Sequence, residues 1–198
     1  RHTLKLLNHF EIKKPKTSYH EHNIREKGPK LIEMLLEGKN IAVVSDAGMP
    51  GISDPGEDII RLAIDAGIEV IGLPGPSAAL LALVISGLTT DKFAFEGFLP
   101  SKSNERKRAL EAIKTEERTI IFYESPHRIL ESLEDMLLIL GDRNASLSRE
   151  LTKKFEETIR GTLKNIVETA SKRQLKGEMV LVVQGATKEA LEYDIVSM

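Results

Sequence analysis

The strongest chemical signal in this sequence is a loop rich in small residues, SDAGMPGISDPG, at residues 45–56. Small residues at Ala47 and Gly48 let a ligand approach the backbone closely and leave amide N–H groups free to donate. Asp46 has the chemistry to bind ribose hydroxyls or an ammonium group. The alternative is a tight turn whose glycines serve geometry only, and the loop taken alone favours neither reading.

A second loop of the same kind, PGPSA, occupies residues 74–78. Ser77 either caps the following helix or reaches a ligand, and Ala78 leaves room beside it; taken alone, the helix start is favoured. Two such loops after successive strands form a stronger signal, because ligands of open α/β sheets bind at the carboxyl ends of strands. Neither loop matches Walker A or GxGxxG, so a nucleoside triphosphate or NAD site is not supported.

Two further groups of polar residues have side chains that could bind a metal or form salt bridges. His20 and His22 have the types of a metal pair, but no third ligand is near in sequence, so we expect no metal site. The segment SRELTKKFEE, residues 148–157, is densely charged. By itself it predicts an exposed edge with salt bridges.

Composition narrows the class of protein. The chain has 198 residues, 41% hydrophobic and 29% charged, which is ordinary for a globular protein of one large or two small domains. The absence of cysteine removes disulfides, thiol nucleophiles and zinc–thiolate sites. No apolar run of about 18 residues and no signal-peptide pattern occur, so we expect a cytoplasmic protein without a transmembrane helix.

Charge is unevenly distributed. The net charge is −2, yet the first 40 residues hold nine Lys or Arg against five Glu, a local charge of +4, together with four histidines. A patch of this kind can meet nucleic-acid phosphates even in a slightly acidic protein. A solvated surface is the simpler interpretation of the same charges.

Strand-like and helix-like segments alternate along the chain. Asp54 and Pro55 predict a helix start, and Gly38 and Gly67 predict helix ends. The hydrophobic patterns predict strands at residues 41–45, 69–73, 93–99, 119–123, 145–151, 156–163 and 179–183, and helices at residues 30–37, 54–67, 125–141 and 164–173. The pattern restarts after residues 86–91, so we expect two α/β domains, residues 1–90 and 91–198, with a cofactor cleft between them.

Six strings in order extend this interpretation: the two loops, FEGFLP (95–100), YESPHR (123–128), SRELTKKFEE and KGEMVLVV (176–183). Together they resemble the tetrapyrrole-methylase superfamily. More narrowly, the chain is similar to the bacterial branch that 2′-O-methylates a cytidine ribose in 16S ribosomal RNA. The opening RHTLKLLNHFEI and SYHEHN (18–23) also fit that branch. The resemblance covers nearly the whole chain.

The resemblance implies a homodimeric rRNA methyltransferase that uses S-adenosyl-L-methionine. It also implies that the family's first strand and Pro/Gly-rich loop precede Arg1, so that the N-terminal domain here lacks them. By position, the cofactor-binding residues would be Asp46, Ala47, Gly48, Met49, Pro50, Ser77, Ala78, Phe98, Leu99 and Pro100.

A 2′-hydroxyl is a weak nucleophile, so a base or a cation that lowers its pKa would help methyl transfer. The catalytic candidates are Lys153, Glu150 and Glu156, from the charged segment. The candidates for RNA phosphate contacts are Lys13, Lys14, Lys16, Arg25, Arg106, Lys107, Arg108 and Arg128. Two alternatives stay open: a tetrapyrrole (precorrin-type) C-methyltransferase with the same fold, and a non-catalytic RNA-binding module.

Overall fold

The computed structural model describes residues 2–187, which divide into two compact units at Ser77. Among the described residues, the first unit contains helices α1 (His2–His9), α2 (Ile24–Leu36) and α3 (Glu57–Asp65). Helix α2 packs on α3 at Gly28, where an added Cβ would lie 3.0 Å from Leu62 Cδ1. The Tyr19 hydroxyl donates to the Asp58 carboxylate. This bond ties the segment before α2 to the start of α3.

The helix ends in the first unit agree with the sequence patterns, whereas the helix starts do not. Gly38 and Gly67 follow α2 and α3 with φ of 85° and 70°. Each closes its helix with two backbone hydrogen bonds of the Schellman type. Helix α3 begins after Gly56 and not after Asp54, because the Gly56 carbonyl accepts the first helical bond, from Ile60 N–H.

Helix α2 begins at Ile24, six residues before the predicted start, and runs through Pro29. The close contact of Gly28 with α3 holds this first turn in place although proline removes one helical hydrogen bond.

The predicted strands at residues 41–45 and 69–73 are not formed. A strand exists only when its backbone groups pair with a neighbour, and residues 2–77 provide neither segment with such a partner. Val44, Ile71 and Leu73 are accordingly exposed, at 62%, 73% and 77%. Apolar residues of the two segments predicted as strands are therefore exposed in this unit.

The second unit is built around one five-stranded sheet, and its strands agree with the sequence patterns to within two residues. The strands are β1 (Phe93–Phe98), β2 (Thr119–Glu124), β3 (Asn144–Arg149), β4 (Glu157–Thr162) and β5 (Met179–Val183). Strands β1 and β2 are parallel, and the other neighbours are antiparallel, in the order β1-β2-β5-β3-β4. The central strand β5 is the continuous apolar run MVLVV, which is buried along its whole length. The elements in chain order are α4 (Ala78–Ser86), β1 (Phe93–Phe98), α5 (Ser103–Ala112), β2 (Thr119–Glu124), α6 (Ile129–Leu140), β3 (Asn144–Arg149), β4 (Glu157–Thr162), α7 (Leu163–Lys172) and β5 (Met179–Val183).

Helices cover both faces of this sheet. On one face, α5, α6 and α7 bury a core that includes Leu110, Leu133 and Ile166. On the other face, α4 packs Ala82 and Leu83 against the sheet. Helix α4 lies before the predicted domain boundary at residue 90, yet it packs on β2, β3 and β5. The boundary itself stays a prediction. Within residues 2–187, no helix is both long and apolar enough to cross a membrane.

Candidate functional site

The loop after residue 44 is a tight turn that leaves backbone donors without a backbone partner. Ser45 Oγ donates to the Ala47 carbonyl at 2.9 Å, which folds the loop back on itself. Gly48 has a φ of 72°, a conformation that side chains other than glycine rarely adopt. Among the described residues, the N–H groups of residues 46–48 donate no backbone hydrogen bond. The loop therefore presents free donors beside the exposed Asp46 carboxylate.

The structure brings the two small-residue loops together. An added Cβ on Gly75 would lie 3.0 Å from Met49 Sδ, and one on Gly48 would lie 3.9 Å from the Pro76 carbonyl oxygen. Ser77 follows this contact and is half-buried, as is Ala78 at the start of α4. Residues 46–50 and 74–77 thus form one continuous surface of backbone and small side chains in the first unit.

In the second unit, the end of β1 presents an aromatic side chain. A bulge between Phe95 and Gly97 interrupts the pairing with β2. Phe98 is 53% exposed and rests against the Tyr123 ring, with 5.5 Å between the ring centroids. Leu99 is only 5% exposed and belongs to the core, so its side chain is not available to a ligand. Pro100 beside it is half-buried.

A buried carboxylate that the sequence analysis did not single out organises this end of the sheet. The Glu124 side chain is 1% exposed and accepts from Arg128 Nη2 at 2.7 Å and from Ser132 Oγ at 2.6 Å. Arg128 Nη1 also donates to the Leu99 carbonyl at 3.2 Å. This bond fixes the guanidinium at the carboxyl ends of β1 and β2. Glutamate and arginine four residues apart in YESPHR were the available signal.

The three catalytic candidates hold the β3–β4 connection together. Lys153 Nζ lies 3.0 Å from Glu150 Oε1 and 2.9 Å from Glu178 Oε2. These carboxylates raise the pKa of Lys153, and the Glu178 backbone N–H together with Lys153 lowers the pKa of Glu150. Glu156 accepts from Thr152 N–H at 2.6 Å. Both pKa directions are opposite to those that a proton acceptor at neutral pH needs.

The phosphate-contact candidates fall into different environments. Lys13, Lys14, Lys16, Arg25 and Arg108 are exposed. Lys107 Nζ lies 3.4 Å from Asp135 Oδ1 and keeps 42% of its side chain exposed.

Arg106 is a correction to the sequence analysis. It is 2% exposed, and its Nε and Nη2 both lie 2.7 Å from Asp135 Oδ2. A guanidinium buried in this ion pair is not available to a phosphate, because reaching solvent would break both of its contacts with the buried Asp135 carboxylate.

His20 and His22 are exposed, with their ring centroids 5.9 Å apart. His20 Nε2 lies 3.0 Å from Asn23 Nδ2, and Asn23 Oδ1 accepts from the His20 backbone N–H. Among the described residues, no group of three or more His, Cys, Asp or Glu side chains has the arrangement of a metal site.

The folded chain is an α/β protein of two units, with adjoining glycine-containing loops in the first and an anchored arginine at the strand ends of the second. It belongs to the family of tetrapyrrole (corrin/porphyrin) methylases, whose family model matches residues 1–167. Solved structures agree in fold: diphthine synthase has a TM-score of 0.66 at 16% identity, with 96% of this chain and 76% of that chain covered. The methyltransferase CobJ has a TM-score of 0.62 at 22% identity, with 87% and 74% covered. Uroporphyrin-III C-methyltransferase from Thermus thermophilus, complexed with S-adenyl homocysteine, has a TM-score of 0.53 at 17% identity, with 85% of this chain and 76% of that chain covered.

Curated relatives are far more similar in sequence. The chain is 54% identical to ribosomal RNA small subunit methyltransferase I of Halalkalibacterium halodurans, with 93% of this chain and 64% of the relative covered. It is 50% identical to the protein of the same name from Bacillus subtilis, with 97% and 66% covered. The chain therefore spans about two thirds of the length of these relatives.

Proposed function

We propose that the protein to which this chain belongs is an S-adenosyl-L-methionine-dependent methyltransferase that 2′-O-methylates a cytidine ribose in small-subunit ribosomal RNA. The observation that carries the proposal is the identity of 50% and above to relatives named for small-subunit rRNA methylation, over nearly the whole chain. Uroporphyrin-III C-methyltransferase, which acts on a tetrapyrrole, shares the fold at only 17% identity. The sequence similarity therefore favours the RNA substrate over a tetrapyrrole.

The residues of the first unit fit the proposed cofactor. S-adenosylmethionine, when bound, supplies a methyl group on a positively charged sulfur. Asp46 has an exposed carboxylate for ribose hydroxyls, and the missing side chain at Gly48 lets the backbone approach a ligand. Met49, Pro50 and Ser77 complete the cofactor contacts that we propose in this unit, and Ala78, the first residue of the second unit, is proposed as a further contact. A methyltransferase in the tetrapyrrole-methylase family has been solved with the demethylated cofactor, which supports the choice.

In the second unit we propose Phe98, Pro100 and the backbone of Leu99 as further cofactor contacts. Arg128 is held by Glu124 and the Leu99 carbonyl, and keeps 23% of its side chain exposed. A guanidinium fixed in this way has further N–H donors for an RNA phosphate. The protein's contribution to methyl transfer is then alignment and exclusion of water.

For RNA contacts in the first unit we propose the exposed cations Lys13, Lys14, Lys16 and Arg25, and in the second unit Lys107, Arg108 and Arg128. Arg106 is left out because it is buried. Homodimer formation and a location in the bacterial cytoplasm complete the proposal.

The test is mass-spectrometric nucleoside mapping of small-subunit rRNA from a bacterial strain that lacks the gene. We expect one 2′-O-methylcytidine to disappear and to return when the full-length gene is restored. A gene carrying Gly48→Val should not restore it, whereas Gly72→Ala, at a position with open space and no positive φ, should. An unchanged set of modified nucleosides in the deletion strain would refute the proposal.

A further inference from the structure

The connection between β3 and β4, residues 150–156, is a rigid loop; we call it the Phe155 loop. Its backbone closes two turns, from Lys153 N–H to the Glu150 carbonyl at 2.9 Å and from Glu156 N–H to the Lys153 carbonyl at 3.2 Å. Glu150 Oε1 also accepts from Glu178 N–H at 3.0 Å, which ties the loop to the residue before β5. Most of the charged side chains of the loop are used to hold its shape.

The backbone of this loop is held in an unfavourable conformation. Glu150 and Thr152 have φ of 51° and 65°, which is uncommon for residues other than glycine and most unfavourable for a β-branched residue such as threonine. The Thr152 N–H donates to Glu156 Oε2 at 2.6 Å, and this bond helps to keep the conformation. Strained, over-determined loops of this kind are concentrated at binding sites.

The loop projects an aromatic ring and a lysine. Phe155 is 64% exposed, and Lys154 Nζ lies 5.6 Å from the centroid of its ring. Because the Phe155 ring is mostly exposed, it gains less for the fold than a buried ring would. It is instead available to a flat partner.

Beside Phe155 lies a pocket of about 310 Å³ whose lining includes three cations and one carboxylate, Glu150. Arg149, Arg173 and Lys176 line it together with the exposed Gln174. Arg149 and Arg173 both donate to Glu157, which holds their guanidinium groups in place while leaving further N–H donors. The pocket therefore combines fixed cations, an amide and an aromatic wall.

We propose that the Phe155 loop and this pocket bind one unpaired nucleotide of the RNA substrate. The base stacks on Phe155, and its phosphate is contacted by Arg173 and Lys176. Aromatic rings interleaved with cations are how proteins hold single-stranded RNA, because every base offers a π face and every nucleotide a charge. The inference rests on the proposed function for its substrate, and it gives the segment SRELTKKFEE a binding role in place of a catalytic one.

The test uses the full-length protein and a single-stranded RNA that carries 4-thiouridine. We expect Phe155→Ala to weaken RNA binding, measured by fluorescence anisotropy, about 5- to 150-fold, the range for losing one stacked base. Phe155→Tyr keeps the ring and should bind like the wild type. Leu138→Ala, at another large side chain that is 71% exposed, is the matched control and should also bind like the wild type.

Two further measurements separate this role from others. Lys176→Gln should weaken binding and reduce the salt slope by about 0.7, the share of one phosphate contact on a single strand. Ultraviolet crosslinking followed by mass spectrometry should place the RNA on a peptide containing Phe155. S-adenosylmethionine affinity and melting temperature should stay unchanged in all these variants.

If the wild-type protein binds RNA and the Phe155→Ala variant binds it with the same affinity, the inference is wrong and the proposed function is unaffected. Crosslinks confined to other peptides would do the same. Failure of the wild-type protein both to bind RNA and to methylate small ribosomal subunits would overturn the inference and the proposed function together.

Discussion

Replacing Asp135 by alanine removes the main partner of Arg106. Among the described residues, Arg106 is the only arginine that is less than 5% exposed. Two guanidinium nitrogens of Arg106 lie 2.7 Å from Asp135 Oδ2. After the change, the Ser101 carbonyl at 3.3 Å and Glu131 at 3.6 Å remain. Breaking a buried pair from one side costs about 3–5 kcal/mol, because the other charge stays in the core. The remaining contacts place the expected loss near the lower end, about 3 kcal/mol.

The assay is native-state hydrogen exchange at the amides of β5, the central strand. Because these amides exchange only when the sheet opens, they report the unfolding free energy of the second unit alone. A loss of about 3 kcal/mol corresponds to exchange that is roughly 100-fold faster. Glu134→Ala, at the exposed neighbouring carboxylate, is the control and should change the free energy by less than about 0.5 kcal/mol.

A double variant tests the cause of the loss. Arg106→Met with Asp135→Leu removes both charges and should recover most of the stability, because well-packed apolar residues often replace a buried pair without cost. Exchange of the β5 amides in Asp135→Ala that matches the wild type would refute the reasoning. So would a double variant that is less stable than Asp135→Ala.

Three further changes test other features. Gly48→Val should abolish S-adenosylmethionine binding by the full-length protein in a calorimetric titration, because the branched side chain occupies the surface that meets the ligand and the φ of 72° strains the loop locally. The protein should stay folded because Gly48 is exposed. An unchanged affinity would show that the loop is only a turn. Changing Lys13, Lys14 and Lys16 to glutamate should weaken RNA binding and flatten its salt dependence, and an equal loss of cofactor affinity would indicate misfolding instead. The hydrogen bonds from Arg118 lower the pKa of Glu116 to about 2. The stabilising contribution of the Glu116 carboxylate is therefore present above about pH 4.5 and is lost as the pH falls toward 2. Glu116→Gln should therefore lower the melting temperature at neutral pH and bring it level with the wild type at pH 2; a constant difference across that range would contradict the assignment.

Local patterns in the sequence were sufficient for most of the second unit. The run MVLVV predicts β5 with its observed bounds, because a strand buried on both faces is apolar throughout. The glycines after α2 and α3 predict the helix ends, because the closing bonds are made within a few residues. The family, too, could be recognised from six ordered motifs, and the family match over residues 1–167 agrees.

The sequence by itself thus determined the features that depend on neighbours along the chain. Only the tertiary structure decided the burial and pairing of side chains whose partners are distant in sequence. Arg106 and Arg108 look alike in SNERKR, yet one is buried because Asp135, 29 residues away, lies opposite it. Residues 41–45 and 69–73 have strand-like composition, but no ladder forms without a paired neighbour. Glu150 and Lys153 hold the loop in place because Glu178, the residue before β5, lies within hydrogen-bonding distance of both. Long-range pairing of backbone groups and charges is a property of the folded arrangement, and no local spacing encodes it.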